Sequence, residues 1–423
     1  MSIPTEQMAQ ATGPGRTAQE LETRLTGSLF LPGDAGYERQ RGSLHGAPEA
    51  VVDAETVADV QAAVRTGLPL TVVSTGHGTV ASSDGGLLLR TSRMAQVLVD
   101  PSRRIARVGP GARWGEVVAA AEPFGLAPLS GDTPSVGVVG YTLGGGLSWL
   151  SRKHGYAADS LLRAELVTAD GRVVVVDRHH HPDLFWAIRG GSGNFGVVTS
   201  LELRLFPVPS VYGGSAEFPV DGAERALRYL AEHGDELPDE LSVSVVVGPE
   251  SLVVRAVHAG AGGGDALQPL LDAAGTPTAS TFRDMRYSEV STIGGTPPIT
   301  FAMYDELSAD TIAAVVRSGV TVEVKHVGGA IAHPEHDDPG PVGHRDARFV
   351  MKIAAPAADE ITASATGGSF LNFLHDTTRT HTAFTPDNFR RLREIKAAYD
   401  PANRFHRNHN IPPLGRPGVR RFR

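Results

Sequence analysis

The chain has 423 residues, of which 49 are glycine and none is cysteine, and its formal net charge is −8. This length predicts two or three domains, and the lack of cysteine excludes disulfides, thiolate metal sites and a cysteine nucleophile. The negative charge gives no support to a polyanionic partner, so we expect no nucleic-acid binding. Glycine at 49 of 423 residues, against about 7% in ordinary proteins, indicates many loops with unusual backbone angles or close approach to a ligand.

The two ends of the chain predict little ordered structure. Residues 1–24 are polar and lack the apolar core of a secretory signal, and the basic tail 416–423 is expected to fray. No stretch reaches the roughly 18 unbroken apolar residues of a membrane helix. We therefore expect a cytoplasmic protein with no membrane partner, and we leave its oligomeric state open.

Strands and helices alternate along the chain. The stretch "APEAVVDAETVADVQAAVRTG" predicts a short strand and an amphipathic helix, and "LPLTVVS" predicts the next strand, so the opening unit is β-α-β. Further on, "LLRAELVTADGRVVVVD" predicts a hairpin that turns at Asp170 and Gly171. The composition changes after Pro207, and "NFRRLREIKAAYDPANRF" predicts a last helix that ends at an Asp-Pro break.

Gly191, Gly193 and Gly196 spell G-x-G-x-x-G, the fingerprint of a dinucleotide-binding Rossmann domain. That motif must follow a strand and open a helix, whose N-terminus then meets the pyrophosphate. Here it precedes "VVTSLELRLF", whose alternation predicts a strand. We therefore predict no Rossmann domain, although a glycine-walled pocket for another ligand stays open.

A loop of small residues around one histidine, "STGHG", follows the strand "LPLTVV". Glycines let backbone N–H groups approach a ligand closely, and the histidine is then the reactive group within reach. A plain surface turn with a solvated imidazole is the alternative, and the loop by itself does not decide between them.

Four motifs, in this order, resemble the FAD-linked oxidoreductases of the vanillyl-alcohol oxidase or PCMH-type fold, specifically the berberine-bridge-enzyme-like branch. They are "GDTPSVGVVGYTLGGGLSWLSRKHG", "AELVTADGRVV", "PDLFWAIRGGSGNFGVVTSLELRL" and "YDPANRFHRNHNIPP". The resemblance implies an α+β fold: a two-part FAD-binding domain at 25–208, and an α+β substrate domain with an antiparallel sheet at 209–365. Residues 366–415 would return to the FAD domain.

The same resemblance implies how FAD is held. His77 falls on the family histidine that commonly bonds the flavin 8α-methyl, and Thr133 stands where many relatives carry a second, cysteine attachment. Because a threonine hydroxyl cannot replace a thiolate, we expect attachment through His77 only. The remaining FAD residues so implied are Ser74, Thr75, Gly76, Gly78, Thr79, Ser135, Val136, Gly137, Gly140, Gly144, Gly145, Gly146, Val197, Asn408 and Asn410. Turn glycines, a core valine and turn-capping asparagines are the structural alternatives.

The resemblance does not extend to the catalytic base. Many alcohol-oxidising relatives use a tyrosine in a Y-x-N motif, but this chain has Phe370 there and keeps Asn372. Glu323, Lys325 and Tyr141 are the candidate substitutes. Glu323 and Lys325 share one face of the strand in "TVEVKHVGGAIAH"; a solvent-facing strand edge is the alternative interpretation.

The histidine clusters predict no metal site. Three consecutive histidines in "HHHPD" cannot converge easily on one ion, because neighbouring residues of an extended segment point to opposite sides. His406 and His409 lie between an Asp-Pro break and "IPP", which favours a structural role.

These observations predict an FAD-dependent oxidoreductase that moves a hydride from a C–H bond of a small organic substrate, such as a natural-product intermediate, to flavin N5. Molecular oxygen is the expected electron acceptor. An oxygenase or cyclase using the same flavin, and a non-catalytic flavin-binding module, are the alternatives. The sequence does not select a substrate.

Overall fold

The first sheet of the protein has four strands in the order β1-β2-β4-β3. The structure, a computed structural model, describes residues 20–42, 44–78, 81–335, 338–356 and 359–415. β2, β4 and β3 are parallel, and β1 pairs antiparallel with β2. The strands are β1 Ser28–Phe30, β2 Ala50–Asp53, β3 Leu70–Val73 and β4 Leu87–Arg90, with the helices α1 Tyr37–Arg41 and α2 Val57–Arg65 between them.

Helix α2 shows why the opening β-α-β unit forms where the sequence predicts it. Thr56 and Asp59 make a capping box that satisfies backbone N–H groups at the first turn. Val60, Ala63 and Val64 are buried at helical spacing against the sheet. The polar start and the apolar face together fix both the beginning and the orientation of the helix.

The second sheet is antiparallel, with the order β5-β6-β10-β8-β9. Gly171, at φ 76°, supplies the left-handed residue in the turn between β8 and β9. Its strands are β5 Val97–Asp100, β6 Ile105–Val108, β8 Leu161–Val167, β9 Val173–Asp177 and β10 Val197–Arg204, while β7 Leu126–Ala127 pairs separately with β11 Phe206–Pro207. The helices of this part are α3 Trp114–Ala121, α4 Val138–Leu143, α5 Ser151–His154 and α6 Pro182–Ile188.

The third and largest sheet has eight strands, in the order β15-β12-β14-β13-β18-β19-β17 with β16 beside β12. All of its pairs are antiparallel. The strands are β12 Val211–Pro219, β13 Leu241–Val247, β14 Ser251–Ala259, β15 Ala279–Ser280, β16 Arg283–Met285, β17 Thr300–Tyr304, β18 Val322–His326 and β19 Phe349–Ile353. The accompanying helices are α7 Ala223–His233, α8 Gly264–Ala274, α9 Ala309–Arg317 and α10 Asp359–Thr362.

The two faces of this large sheet have different partners. Val322 and Val324 of β18 join a core with Leu227 of α7, Leu267 of α8 and Val315 of α9. The opposite face packs toward the amino-terminal half, where a second apolar cluster brings together residues of both halves: Trp149, Leu150, Val211, Val257 and Tyr287. The helices therefore cover one face and leave the other against the first half of the chain.

The last helix, α11 Pro386–Tyr399, returns to the amino-terminal half. Its Lys396 is fully buried and donates to Asp400 Oδ2 at 2.7 Å and to the Asn194 carbonyl at 2.6 Å. Asp400 in turn accepts the N–H groups of Arg404 and Phe405. This ion pair fixes the chain end beside the loop before β10.

The α+β prediction is confirmed, with antiparallel sheets in both halves. The large sheet occupies the stretch assigned to substrate, but that assignment of roles stays a prediction. Most of the predicted loose N-terminus and all of the tail 416–423 lie outside the described residues. Within the described part of the chain, no helix combines the length and apolar character needed to cross a membrane.

Candidate active site

A cleft of about 180 Å³ opens between the first and second sheets. Its walls come from β3, from α4, from the start of β10 and from the segment at 405–408. Of the predicted cofactor residues, Ser74, Gly140, Val197 and Asn408 line it directly. The structure thus brings together residues that are up to 334 positions apart, from 74 to 408.

The loop after β3 forms one rim of the cleft. Gly76 and Gly78 have φ of 78° and 67°, which turn the loop through conformations that favour glycine. Ser74 and Thr75 lie against Gly137, where an added Cβ would stand about 3.4–3.5 Å from their side chains. His77 is exposed, and its imidazole has no hydrogen bond to another described residue. Thr79 lies outside the described residues.

The segment from Thr133 to Gly140 forms the facing rim. Thr133 and Ser135 are exposed, Val136 is partly buried, and a Cβ added to Gly140 would meet no atom within 4 Å. Space beyond Gly140 is therefore open toward the cleft, as close approach of a ligand requires.

Gly144, Gly145 and Gly146 have a packing role that the sequence did not reveal. A Cβ at these positions would press on Asn372, Phe370 and the Tyr141 ring, respectively. Asn372 Oδ1 accepts the Gly146 N–H at 3.0 Å and Nδ2 donates to the Tyr141 carbonyl at 3.0 Å. Packing against the carboxyl-terminal segment thus requires Gly144 and Gly145, and packing against Tyr141 requires Gly146. Contact of these glycines with a cofactor stays a prediction.

Three buried polar atoms near the cleft lack hydrogen-bond partners among the described residues: Ser74 Oγ, Asn408 Oδ1 and Asn410 Oδ1. A buried polar atom without a partner costs about 1–3 kcal/mol. A ligand with matching donors and acceptors would remove that cost. The cleft is therefore built for a polar ligand.

The large sheet presents buried polar residues toward the amino-terminal half, and we call Ser244, Arg255, Glu323, Lys325 and Lys352 the polar face. Strand register places Lys325 opposite Ser244, and Ser244 opposite Arg255. Glu323 lies opposite Lys352 on β19, which makes Lys352 the diagonal neighbour of Lys325. The sequence prediction that Glu323 and Lys325 share a face is confirmed. The solvent-facing alternative is wrong, because β18 is an interior strand and both side chains are buried.

Glu323 is the hub of the polar face and is only 1% exposed. Its Oε2 accepts the Thr296 N–H at 2.9 Å and lies 3.5 Å from Arg255 Nη1 and 4.0 Å from Lys352 Nζ. Burial by itself would raise the pKa of Glu323, but the nearby cations and the Thr296 hydrogen bond outweigh it and lower the pKa. Glu323 is consequently a stable carboxylate and a weak base.

Lys325 has the opposite character. Its Nζ lies 3.8 Å from the centroid of the Trp149 ring and makes no hydrogen bond to a described residue. Burial, followed by the charge of Lys352, lowers the pKa of Lys325 to about 8. A substantial fraction of this lysine is therefore a neutral amine near physiological pH, which is the form that accepts a proton.

Tyr141 approaches from the amino-terminal half. Its ring packs edge-on against Trp114 at 5.4 Å, and its buried hydroxyl has no partner among the described residues. Burial, and then the charge of Asp132, raises the pKa of Tyr141 well above its usual value. Tyr141 therefore keeps its proton and serves as a donor instead of a base.

Phe370 is accounted for by packing, and two histidines of "HHHPD" by polar contacts near the surface. Phe370 is buried against the rings of Tyr156, Phe301 and Phe373. His180 pairs with Asp177, and His181 approaches the Tyr399 hydroxyl at 3.2 Å. Among the described residues, no group of three or more histidine, aspartate or glutamate side chains is arranged to hold a metal.

Comparison with known proteins finds two family models, one matching the amino-terminal half of the chain and one matching its carboxyl-terminal segment. A family model described as an FAD binding domain matches residues 48–177, and one described as berberine and berberine like matches residues 369–412. The (R)-6-hydroxynicotine oxidase of Paenarthrobacter nicotinovorans is 29% identical over 92% of this chain and 98% of its own. The chain therefore carries an FAD binding domain and a berberine-like domain, and its relatives are FAD-linked oxidoreductases.

Other similar proteins share the fold or part of the sequence. An FAD-dependent monooxygenase of Fusarium proliferatum is 35% identical, but the match covers 53% of this chain and 45% of that protein. The glucooligosaccharide oxidase of Acremonium strictum superposes with a TM-score of 0.81 over 96% of this chain and all of its own, at 23% identity. Its structure is titled for a 6-S-cysteinyl, 8α-N1-histidyl FAD. At that identity the likeness shows the fold alone.

FAD suits the cleft of this FAD-linked oxidoreductase. The matched FAD-binding model includes the 74–78 loop and the 133–146 segment, both of which border the cleft. The three unpartnered oxygens supply hydrogen-bonding groups for a polar cofactor, and the open space at Gly140 admits its close approach. The predicted cofactor is confirmed as FAD.

Sequence reasoning missed Arg255, Lys352, Asp132 and Thr296. Asp132 Oδ2 lies 4.0 Å from Lys352 Nζ, so it joins the two halves at the polar face. A signal was present for Lys352, because it is the one charged residue in the apolar strand "FVMKI". Burying a lysine in a strand interior is costly unless it has a partner or a function.

Proposed function

We propose that the protein oxidises a small organic molecule by transfer of a hydride to N5 of FAD, with Lys325 as the proton acceptor and molecular oxygen as the electron acceptor. The observation that carries this proposal is the buried amine of Lys325, which has no acceptor among the described residues and has a depressed pKa. It lies on the polar face, which the large sheet turns toward the FAD-binding half.

In this proposal the FAD is held mainly by backbone and small side chains. The N–H groups of the 74–78 loop would face the pyrophosphate, because such concave arrangements of backbone amides attract anions. Ser74, Asn408 and Asn410 would supply polar contacts through their unpartnered oxygens. When bound, FAD accepts the hydride and passes the electron pair to oxygen.

The proposed attachment is a single bond from His77 to the flavin. The imidazole is exposed at the rim of the cleft and is free of hydrogen bonds to described residues, so it is available as a nucleophile. Thr133 occupies the facing rim where a second attachment would need a thiol. The Acremonium enzyme of the same fold is named for a histidyl link of this kind.

Phe370 cannot accept a proton, so in this proposal Lys325 takes the role of the tyrosine base. As a neutral amine it would accept a hydroxyl proton from the substrate while the hydride leaves carbon. Glu323 is unsuited because its carboxylate is already bound by Thr296 and nearby cations, and Tyr141 holds its own proton. General-base catalysis is worth about 10²–10⁴-fold in rate, enough to keep a buried lysine in this position.

A flavin-dependent oxygenase or cyclase is the second candidate. Phe370 favours it, since those reactions do not need the tyrosine base, and the Fusarium relative is named a monooxygenase. This alternative uses the same cleft and the same polar face, so only the product distinguishes the two.

The deciding experiment is an activity screen in which each product is weighed by mass spectrometry. We expect the purified yellow protein to be bleached by its substrate, to regain colour in air, and to release a product two mass units lighter. A gain of sixteen mass units would favour the oxygenase, and an unchanged mass the cyclase. Flavin that air does not reoxidise after chemical reduction would contradict the oxidase proposal.

A further inference from the structure

We propose that the polar face binds its substrate through an anionic oxygen, held between Lys325 and Lys352, and that Lys352 is the residue that selects for it. The inference rests on the proposed function and narrows its substrate class. The source of the charge is either an acidic hydroxyl, as in a phenol or enol, or a carboxylate. Aliphatic alcohols and uncharged sugars are predicted to be poor ligands.

The first argument is the inventory of hydrogen-bonding groups. Lys325 and Lys352 each carry an ammonium with three possible donors, and neither makes a hydrogen bond to a described residue. Tyr141 adds one more unused donor. The acceptor Glu323 is occupied by Thr296, and Arg255 lies next to it. A site with spare donors is complementary to a ligand that brings acceptors.

The second argument is charge. When Lys325 is protonated, the three cations Arg255, Lys325 and Lys352 face two carboxylates, Glu323 and Asp132. The lysines are each 6% exposed, so water screens this excess positive charge poorly. An anionic oxygen restores neutrality, whereas a neutral hydroxyl leaves the excess charge buried.

The third argument is shape. Lys325 and Lys352 are diagonal neighbours on adjacent strands, a spacing within reach of long side chains. Lys325 Nζ lies over the Trp149 ring, and Lys352 Nζ lies 5.1 Å from the centroid of Phe373. Each ammonium is therefore held against an aromatic ring, which fixes its position on the polar face.

The proton balance follows directly for an acidic hydroxyl. The O–H bond breaks, its proton goes to the neutral amine of Lys325, and its electron pair stays on oxygen. The resulting oxyanion then lies beside two ammonium groups. The hydride that later leaves carbon is a separate electron pair, so Lys352 takes no part in the redox step.

The test measures ligand binding to the FAD-loaded protein by calorimetry, with no turnover required. The probes are 4-nitrophenolate, 4-nitrobenzoate and the uncharged 4-nitroanisole, which has nearly the shape of the phenol. We expect at least one anion to bind tenfold or more tightly than 4-nitroanisole. If 4-nitrophenolate binds more tightly, the substrate group is an acidic hydroxyl. If 4-nitrobenzoate binds more tightly, it is a carboxylate. Equal Kd values for all three probes would overturn the inference.

Variants assign the effect to Lys352. Lys352→Met should raise the Kd of the preferred anion at least tenfold and leave that of 4-nitroanisole unchanged, while Lys352→Arg should retain most of the anion binding. Lys153→Met removes the charge of a half-exposed lysine that pairs with Glu240, and serves as the matched control. If wild type and Lys352→Met bind the anion equally well, Lys352 does not select for it. If Lys352→Arg binds the anion more weakly than Lys352→Met, the charge of Lys352 is not the reason for its effect. Failure of the oxidase proposal would appear separately, as flavin that air does not reoxidise.

Discussion

The cleft and the polar face are two binding regions built by opposite means. The cleft consists of glycines, small side chains and unpartnered amide or hydroxyl oxygens. The polar face consists of Ser244 on β13 and of buried or partly buried charged side chains on β14, β18 and β19. Backbone geometry is encoded locally by glycine spacing, whereas a charged cluster is assembled by strand register over distant segments. The cleft is thus suited to one fixed cofactor, and the polar face can change with the substrate.

His77→Ala should separate the two regions most sharply. We expect wild-type protein to keep its yellow flavin in an acid-precipitated pellet, and His77→Ala to release all of it, because no second nucleophile is present at Thr133. Absorbance of pellet and supernatant, together with the intact mass, measures this. His179→Ala, which removes an exposed histidine outside the cleft, is the control. A colourless wild-type pellet would show that no covalent bond forms.

Lys325→Met tests the other region. Turnover of the true substrate should fall roughly 10²–10⁴-fold, the range expected for loss of a general base. Flavin content should stay at the wild-type level, because Lys325 lies on the large sheet and not in the cleft. Steady-state kinetics measure the turnover, and the flavin absorbance per chain measures the flavin content, with Lys153→Met as the control. Wild-type turnover in Lys325→Met would remove Lys325 from the mechanism.

The pH dependence gives a finer test of the same amine. The pKa of Lys325 is lowered to about 8, and only the neutral form accepts a proton, so kcat/KM should rise roughly tenfold per pH unit below that value and level off above it. The charged groups facing Lys325 are Glu323 on its own strand, Lys352, Arg255 and Asp132. The rise should vanish in Lys325→Met. A wild-type profile that is flat between pH 6 and 9 would contradict the assignment.

Much of the fold was predictable, because its signals are local. The capping box at Thr56, the Asp170-Gly171 turn and the alternation in "VVTSLELRLF" each fix an element without distant contacts. The same holds for the rejected Rossmann motif, since β10 begins at Val197 directly after it. The glycine-rich motifs identified the cofactor only through their resemblance to a known family.

The site beyond the cofactor was only partly predictable. Glu323 and Lys325 were found because they are two residues apart on one strand. Lys352 and Arg255 reach Glu323 only through the order of β14, β13, β18 and β19, which the sequence does not specify. The pKa of Lys325 depends on that neighbourhood and on burial, so the sequence by itself does not favour one of the three candidate bases over the others.

Asn372 has a consequence for how the protein is made. Its amide oxygen accepts a hydrogen bond from the N–H of Gly146, which lies 226 residues earlier in the chain. The amide oxygen of Asn194 likewise accepts one from the N–H of Ile411, 217 residues later. A ribosome adding roughly 5–20 residues per second needs about ten seconds or more to supply the second partner of each bond. The segments that border the cleft are therefore held in place only when synthesis is nearly complete. A chain truncated before Asn372 therefore lacks the contact that fixes the Gly146 turn.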